Sequence, residues 1–276
     1  MKLVRAELFK IRTTSTWWIL ALVTLPLWAV TLLFNWLQTS LMVGEDFSDV
    51  ATTEAEAEVF AAATLGENLA ANLYTNGQFF GLMMVMVLGI LVITTEFFHQ
   101  TVTTTFLTTP HRTAVSLAKL GTAAILGAIF WLATTLLNIP ATIAILGAYG
   151  VDSHLGSGAI WQAIGLNGLA YLLWAIFGVG IGVLIRSQLG ATVTAIVVYF
   201  GGYIGAGGVI VVLAGRFGDW INNLQVLIPP RASQLMVTGT DLPGNPARWV
   251  GAVVLIGYAV VTGVIGTALL RKRDIS

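Results

Sequence analysis

Cysteine is absent from the 276 residues, which excludes a disulfide framework, thiolate zinc sites and a cysteine nucleophile. Charge is nearly as scarce: Asp, Glu, Lys and Arg supply 9% of the chain, against about 25% in an average soluble domain. No G-x-x-x-x-G-K-[ST] run occurs, and Gly178-Val179-Gly180-Ile181-Gly182 lacks the third glycine spacing of a dinucleotide loop, so the chain carries no nucleotide-phosphate loop of its own. There is no basic domain to neutralise phosphates, which excludes nucleic acid as a partner. Of the three histidines, His99 and His111 are separated by Pro110 and a threonine-rich stretch, with no carboxylate at metal-ligand spacing. Ser153 and His154 are adjacent in a turn, where neighbouring side chains point apart, so they make no nucleophile-base pair. The reading is therefore of a chain that is not an enzyme, with no metal and no cofactor of its own.

What is abundant is apolar surface. Hydrophobic residues make up 57% of the chain and there are 30 glycines, a composition that suits closely packed helices in a bilayer. A helix crossing the hydrocarbon layer needs about 20 apolar residues, and six stretches qualify: 17–37, 79–95, 120–148, 160–185, 189–213 and 249–270. The predicted fold is an all-α polytopic membrane protein forming a single transmembrane domain over residues 1–276. Lys2, Arg5, Lys10 and Arg12 precede a first stretch too long for a signal-peptide core, so it is read as an uncleaved anchor. With that end cytoplasmic, Arg112, Lys119, Arg186, Arg271, Lys272 and Arg273 fall on the same side. Only Arg216, Arg231 and Arg248 fall outside, a bias of ten against three that places both termini in the cytoplasm.

Two outer segments differ in character. Residues 38–78 hold Glu45, Asp46, Asp49, Glu54, Glu56, Glu58 and Glu67 without a basic residue, and Thr53 with Glu56 forms a potential capping box for an Ala/Glu-rich helix ending near Gly66. Such a run reads as a solvated face or as a landing site for a cationic substrate. Residues 214–248 mix Trp220, Ile221, Leu224 and Val226–Ile228 with four prolines, too apolar for a free loop and too broken for a span, which predicts a re-entrant or interfacial piece. No span carries an ionisable residue in its middle, which weakens a proton-coupled carrier. Asn35, Gln38, Asn138, Gln162 and Asn167 read as interhelical hydrogen-bonding groups before substrate contacts, and Gly178/Gly182, Gly201/Gly205 and Gly263/Gly266 as close-packing surfaces before hinges.

The segment after the second span runs Thr94-Thr95-Glu96-Phe97-Phe98-His99-Gln100, continues through the threonines of 101–109, and ends Pro110-His111-Arg112 before Ser116-Leu117-Ala118-Lys119. It sets a carboxylate at the membrane exit, a short non-basic stretch, a proline stop and a basic return. Together with the basic start, the six-span plan and the Leu270-Arg271-Lys272-Arg273-Asp274 ending, it resembles the permease subunit of type-2 ATP-binding-cassette transporters, most of all small permeases of actinobacterial style. Glu96, Thr101, Thr104, Thr105, Pro110, Arg112 and Lys119 match the family pattern, while Phe98 stands where the family often has a basic residue.

The resemblance implies a homodimer or pseudo-symmetric heterodimer of permease chains in a bacterial cell membrane. It implies two separate ATPase subunits, which carry ATP and Mg. It assigns the segment with Glu96, Thr101, Thr104, Thr105, Phe106, Leu107, Pro110 and Arg112 to a coupling helix on the ATPase. It assigns the residues before span one to an elbow helix along the inner leaflet, whose apolar stripe is Val4, Leu8 and Ile11, and it accounts for re-entrant helices between spans five and six. The implied function is ATP-driven export of a hydrophobic or amphipathic compound such as an antibiotic, peptide or lipid. An ATP-independent channel or secondary carrier and a structural or sensory membrane subunit stand as alternatives.

Overall fold

The computed structural model describes residues 2–43, 54–108 and 111–272. Every regular element among them is helical, as expected where the hydrocarbon offers no partner for backbone N–H and C=O groups. In chain order these are α1 (Lys2–Thr13), α2 (Thr16–Met42), α3 (Glu54–Thr64), α4 (Gly66–Tyr74), α5 (Gln78–Phe98), α6 (Val102–Thr108), α7 (Arg112–Ala148), α8 (Gly158–Leu184) and α9 (Gln188–Phe200). A π-helical turn (Gly201–Ala206) continues α9 into α10 (Gly207–Phe217). A 3-10 helix (Asp219–Leu227), α11 (Pro229–Met236) and α12 (Arg248–Lys272) follow. Six stretches are long and apolar enough to cross a membrane: Trp17–Met42, Gly66–Phe98, Arg112–Ala148, Gly158–Leu184, Gln188–Phe217 and Arg248–Leu269. Each overlaps one stretch read from the sequence.

α5 is the axis of the bundle. It is buried along nearly its whole length, enclosed by α2, α7, α8 and α9. Its approach to α8 depends on glycine: a Cβ at Gly89 would strike the Ala175 carbonyl, one at Gly178 the Met86 carbonyl, and one at Gly182 the Ile93 side chain. Close packing at Gly178/Gly182 is thus as expected, but Gly201, Gly205 and Gly263 face open space. The first two lie in the π-helical turn, on the outer side of the bundle. α2 and the α9–α10 helix leave most of their apolar side chains uncovered, including Leu22, Phe34, Val198 and Val212.

The outer segment 38–78 departs from the expected loop at both ends. α2 continues to Met42, and α4 folds back into the bundle, burying Leu69, Ala70, Ala71, Leu73 and Tyr74 against Leu146, Ile160, Ala163 and Ile164. The physical reason is that the acids lie almost entirely before Gly66. Glu67, the one acid of α4, accepts a 2.7 Å bond from Ser157 Oγ. Gly77, at φ +79°, turns α4 into α5, and Asn138 Nδ2 donates to the carbonyls of Tyr74 and Asn76 at 3.0 Å, satisfying the interrupted backbone. Glu45, Asp46, Asp49 and Thr53, with the expected capping box, lie outside the described residues.

Beyond α10 the broken apolar segment, too apolar for a free loop, forms the 3-10 helix and α11. Pro229 and Pro230 open α11, where their missing N–H groups cost nothing. α11 is inserted among α5, α8 and α12: Ala232, Ser233 and Met236 are fully buried. Trp174 Nε1 donates to Ser233 Oγ at 2.8 Å, and Gln78 Nε2 donates to the Ser233 carbonyl at 3.2 Å.

Candidate functional site

One end of the bundle gathers α1, the last turn of α5, α6, the first turns of α7 and the α8–α9 turn, where Arg186 stacks over Phe97 at 5.6 Å. α1 packs on α5 and α7 with the stripe expected of it. Val4, Leu8 and Ile11 are half-buried, and Leu8 and Ile11 rest against Leu88, Val92 and Leu126. Phe9, off the stripe, is exposed. Glu7 lies on the buried stripe itself, and its carboxylate organises four charges. Lys119 Nζ reaches Glu7 Oε2 at 2.8 Å and Glu96 Oε1 at 2.9 Å. Lys10 Nζ reaches Glu7 Oε1 at 2.7 Å and Glu96 Oε1 at 2.6 Å.

The cluster is charge-balanced and enclosed. The side chain of Lys119 is 2% exposed, those of Glu96 and Glu7 9% and 10%, and only Lys10 opens to solvent at 49%. A third acceptor, the Val92 carbonyl, lies 3.3 Å from Lys119 Nζ. Burial pushes the Glu7 carboxyl up. The Lys119 charge and the bonds from Lys10 and Lys119 outweigh that push and hold it below its ordinary value. Burial likewise lowers Lys10, and its bonds to Glu7 and Glu96 overcome this to raise it. Both groups are therefore locked in their charged forms at neutral pH.

α6 is attached to this cluster. Thr101 N–H closes α5 on the Glu96 carbonyl at 3.0 Å after a left-handed Gln100 (φ 56°). The Thr101 carbonyl accepts from Thr105 N–H at 3.0 Å, and Thr105 Oγ1 donates to Glu96 Oε1 at 3.4 Å. Val102 is buried and pins the helix, whereas Thr104 is exposed and Leu107 is 78% exposed. Arg112 is half-buried at the start of α7. The side chain of Phe106 and all of Pro110 lie outside the described residues. The structure thus brings Glu96, Thr101 and Thr105 together with the elbow stripe and leaves Thr104 and Leu107 on the surface.

Sequence reasoning named Glu96 and Lys119 but missed Glu7 and Lys10 as their partners. The signal was there: Glu7 lies three residues after Val4 and four before Ile11 and is the one acid of α1, and an acid on an apolar stripe needs a buried cation. Arg231 was also missed. Its guanidinium stacks 4.1 Å from the centroid of the Tyr203 ring, and Tyr203 lies near the middle of the 188–217 span. A cation of the outer segment is thus brought by α11 against the side of the α9–α10 helix, which no reading of the spans one at a time could reveal.

The far end holds a carboxamide network. Trp28 Nε1 donates to Asn138 Oδ1 at 2.6 Å, Asn35 Nδ2 to Asn76 Oδ1 at 2.7 Å and Gln78 Nε2 to Asn167 Oδ1 at 3.0 Å. Asn35, Asn138 and Asn167 act as the interhelical groups expected. A cavity of about 360 Å³ lies beside them, lined by Asn35, Gln38, Asn72, Asn76 and Gln234. Among the described residues no group of His, Asp and Glu could hold a metal ion. His154 packs against Gly66, and Ser153 offers its carbonyl to Tyr74 Oη at 2.9 Å.

Six apolar helices, a buried ionic joint at one end and an amide-lined cavity at the other define a multi-pass helical membrane protein. Comparison with protein-family models and with curated proteins gives no match.

Proposed function

We propose that the chain is the permease subunit of an ATP-driven exporter of the type-2 ATP-binding-cassette kind, moving a hydrophobic or amphipathic compound outward across a bacterial cell membrane. The observation that carries this reading is the Glu7–Lys10–Glu96–Lys119 joint. It ties α1 to the exit of α5 and the start of α7, and through Thr105 to the short surface helix α6. A push on α6 from a cytoplasmic partner is thereby delivered to the buried axis of the bundle. The exposed Leu107 and Phe98 give such a partner apolar contacts. In this reading α1 is the elbow, α6 the coupling helix, α11 with the 3-10 helix the re-entrant piece, and the uncovered α2 and α9–α10 faces meet a second permease chain and lipid. ATP and Mg reside on the two ATPase subunits.

Purification from the native membrane in mild detergent, followed by native mass measurement, tests the reading. Two copies of this chain, or this chain and a related permease, with two ATPase chains are expected; the chain without an ATPase would overturn it. An ion-coupled carrier is the second reading, and Arg231, half-buried with its Nε sealed from solvent and without an acceptor, is the observation that favours it. Transport by the reconstituted chain alone, without ATP, would select that reading.

A further inference from the structure

We propose that Arg231 and the carboxamides around it form a binding site for an amphiphilic anion, one oxyanion head on an apolar tail. Arg231 is half-buried, and its Nε is sealed from solvent without an acceptor. None of its guanidinium donors has a protein acceptor among the described residues, and Asp241, an acid that follows it in the chain, is engaged by Arg248 at 3.3 Å. A guanidinium presents five donors and stays charged at any physiological pH. Leaving a half-buried guanidinium unpaired is costly unless it lines a wet cavity or meets an anion.

The cavity is present. About 260 Å³ opens beside Arg231, with Asn222, Gln225, Gln234 and Asn245 in its wall and no carboxylate. The Tyr203 ring covers one face of the guanidinium at 4.1 Å, and Gln234 Nε2 holds the Tyr203 hydroxyl at 3.3 Å. Stacking fixes the plane, and the Nη groups, unlike the sealed Nε, are left for the oxygens of a carboxylate or phosphate. The surrounding amides can donate to the remaining oxygens without adding charge. A volume of this size suits a head group. The uncovered apolar side chains of the π-helical turn and α10, such as Ile204 and Val209, supply a surface for the tail. The site belongs to this chain alone and does not depend on an ATPase partner, so its test and that of the proposed function fail separately.

Native mass spectrometry of the full chain in an uncharged detergent, titrated with monododecyl phosphate, 1-dodecanol or inorganic phosphate, tests the site. One equivalent of monododecyl phosphate is expected to bind, with dodecanol and inorganic phosphate each weaker by roughly tenfold or more. Arg231→Gln should weaken binding by a similar factor. Should that variant fail to fold, Gln225→Glu keeps Arg231 and its stacking but adds a competing carboxylate to the cavity, and it should abolish binding. Equal binding of dodecanol or of inorganic phosphate, or wild-type affinity in Gln225→Glu, would overturn the proposal. Phosphatidylglycerol distinguishes the sources: competition assigns the site to a membrane lipid head group, and lack of competition assigns it to a free amphiphile, each with the site intact.

Discussion

Lys119 has three acceptors and almost no solvent, so the chain cannot lose its charge cheaply. Lys119→Met keeps the length of the side chain but leaves two buried carboxylates facing one ammonium, and a loss of about 3–5 kcal/mol in stability is expected, read as a lowered thermal midpoint of the purified protein. Adding Glu7→Gln restores the balance, one carboxylate to one ammonium. The double variant should therefore melt above Lys119→Met, and a lower midpoint would mean that the four charges do not act as a unit. The pH profile follows from the same cluster. Glu7 is held below its ordinary 4.5, so its contribution is present above that pH and is lost as pH falls through the lowered value. Lys10 is raised above its ordinary 10.5, so its contribution is present below that pH and is lost as pH rises through the raised value. Stability should be level between these limits, and Glu7→Gln should shrink the acid limb of a melting-temperature profile. At this scale the sequence exposed Glu96, because a carboxylate at a helix exit is conspicuous. It hid Glu7, Lys10 and Arg231, because their meaning lies in partners far along the chain.

Elements follow hydropathy where a helix is apolar on every side, which is why all six spans were legible. α4 was not, because it is short, contains amides and reads as loop until a neighbour buries it; the segment of α11 read as a re-entrant or interfacial piece, but its prolines hid where its helix begins. α4 is held by Asn138 at its break and by Ser157 at Glu67; α11 is held by Trp174 and Gln78 at Ser233. The glycines show the same limit, since spacing on one helix cannot say which glycine meets another backbone. Gly178→Ala must push α8 off the Met86 carbonyl and Gly89→Ala must push α5 off the Ala175 carbonyl, whereas Gly201→Ala and Gly205→Ala meet nothing. Losses of about 1–3 kcal/mol are expected for the first pair from overpacking and none for the second, measured by thermal unfolding in one detergent. α6 is the opposite case, a helix whose role would lie outside the fold. Leu107→Ala removes a side chain that touches little of its own protein, so the midpoint should not move. Under the proposed function, copurification with the ATPase should weaken. Glu96→Gln leaves two ammoniums facing one carboxylate, so its midpoint should fall; in the complex that still assembles, ATP turnover should no longer respond to substrate, and wild-type behaviour of both variants would move the coupling role away from α6.

Across the whole molecule, two kinds of polarity are separated along one axis. Glu7 and Glu96 neutralise Lys10 and Lys119 at the end where Arg186 stacks on Phe97, and amides line the cavities at the other end, where Arg248 pairs with Asp241 at the surface. The neutralisation raises a question for orientation, since two of the ten basic residues placed inside by the sequence are paired with Glu7 and Glu96 in the fold. Orientation is set while helices enter the bilayer, before α1, α5 and α7 have packed, and acids contribute little to it. The count of lysines and arginines therefore keeps its force although the finished cluster is neutral. The absence of native cysteine makes the resulting topology directly measurable. Asp152, in the α7–α8 turn, and Thr104, on α6, are both exposed and lie at opposite ends of the bundle. Ser233 is unsuitable as a reporter of the outer segment because it is fully buried. Asp152→Cys should react with a membrane-impermeant maleimide added to intact cells, and Thr104→Cys should react only after the membrane is opened. Reaction of Thr104→Cys from outside, with Asp152→Cys protected, would invert the protein in the membrane and remove α6 from the reach of any cytoplasmic ATPase.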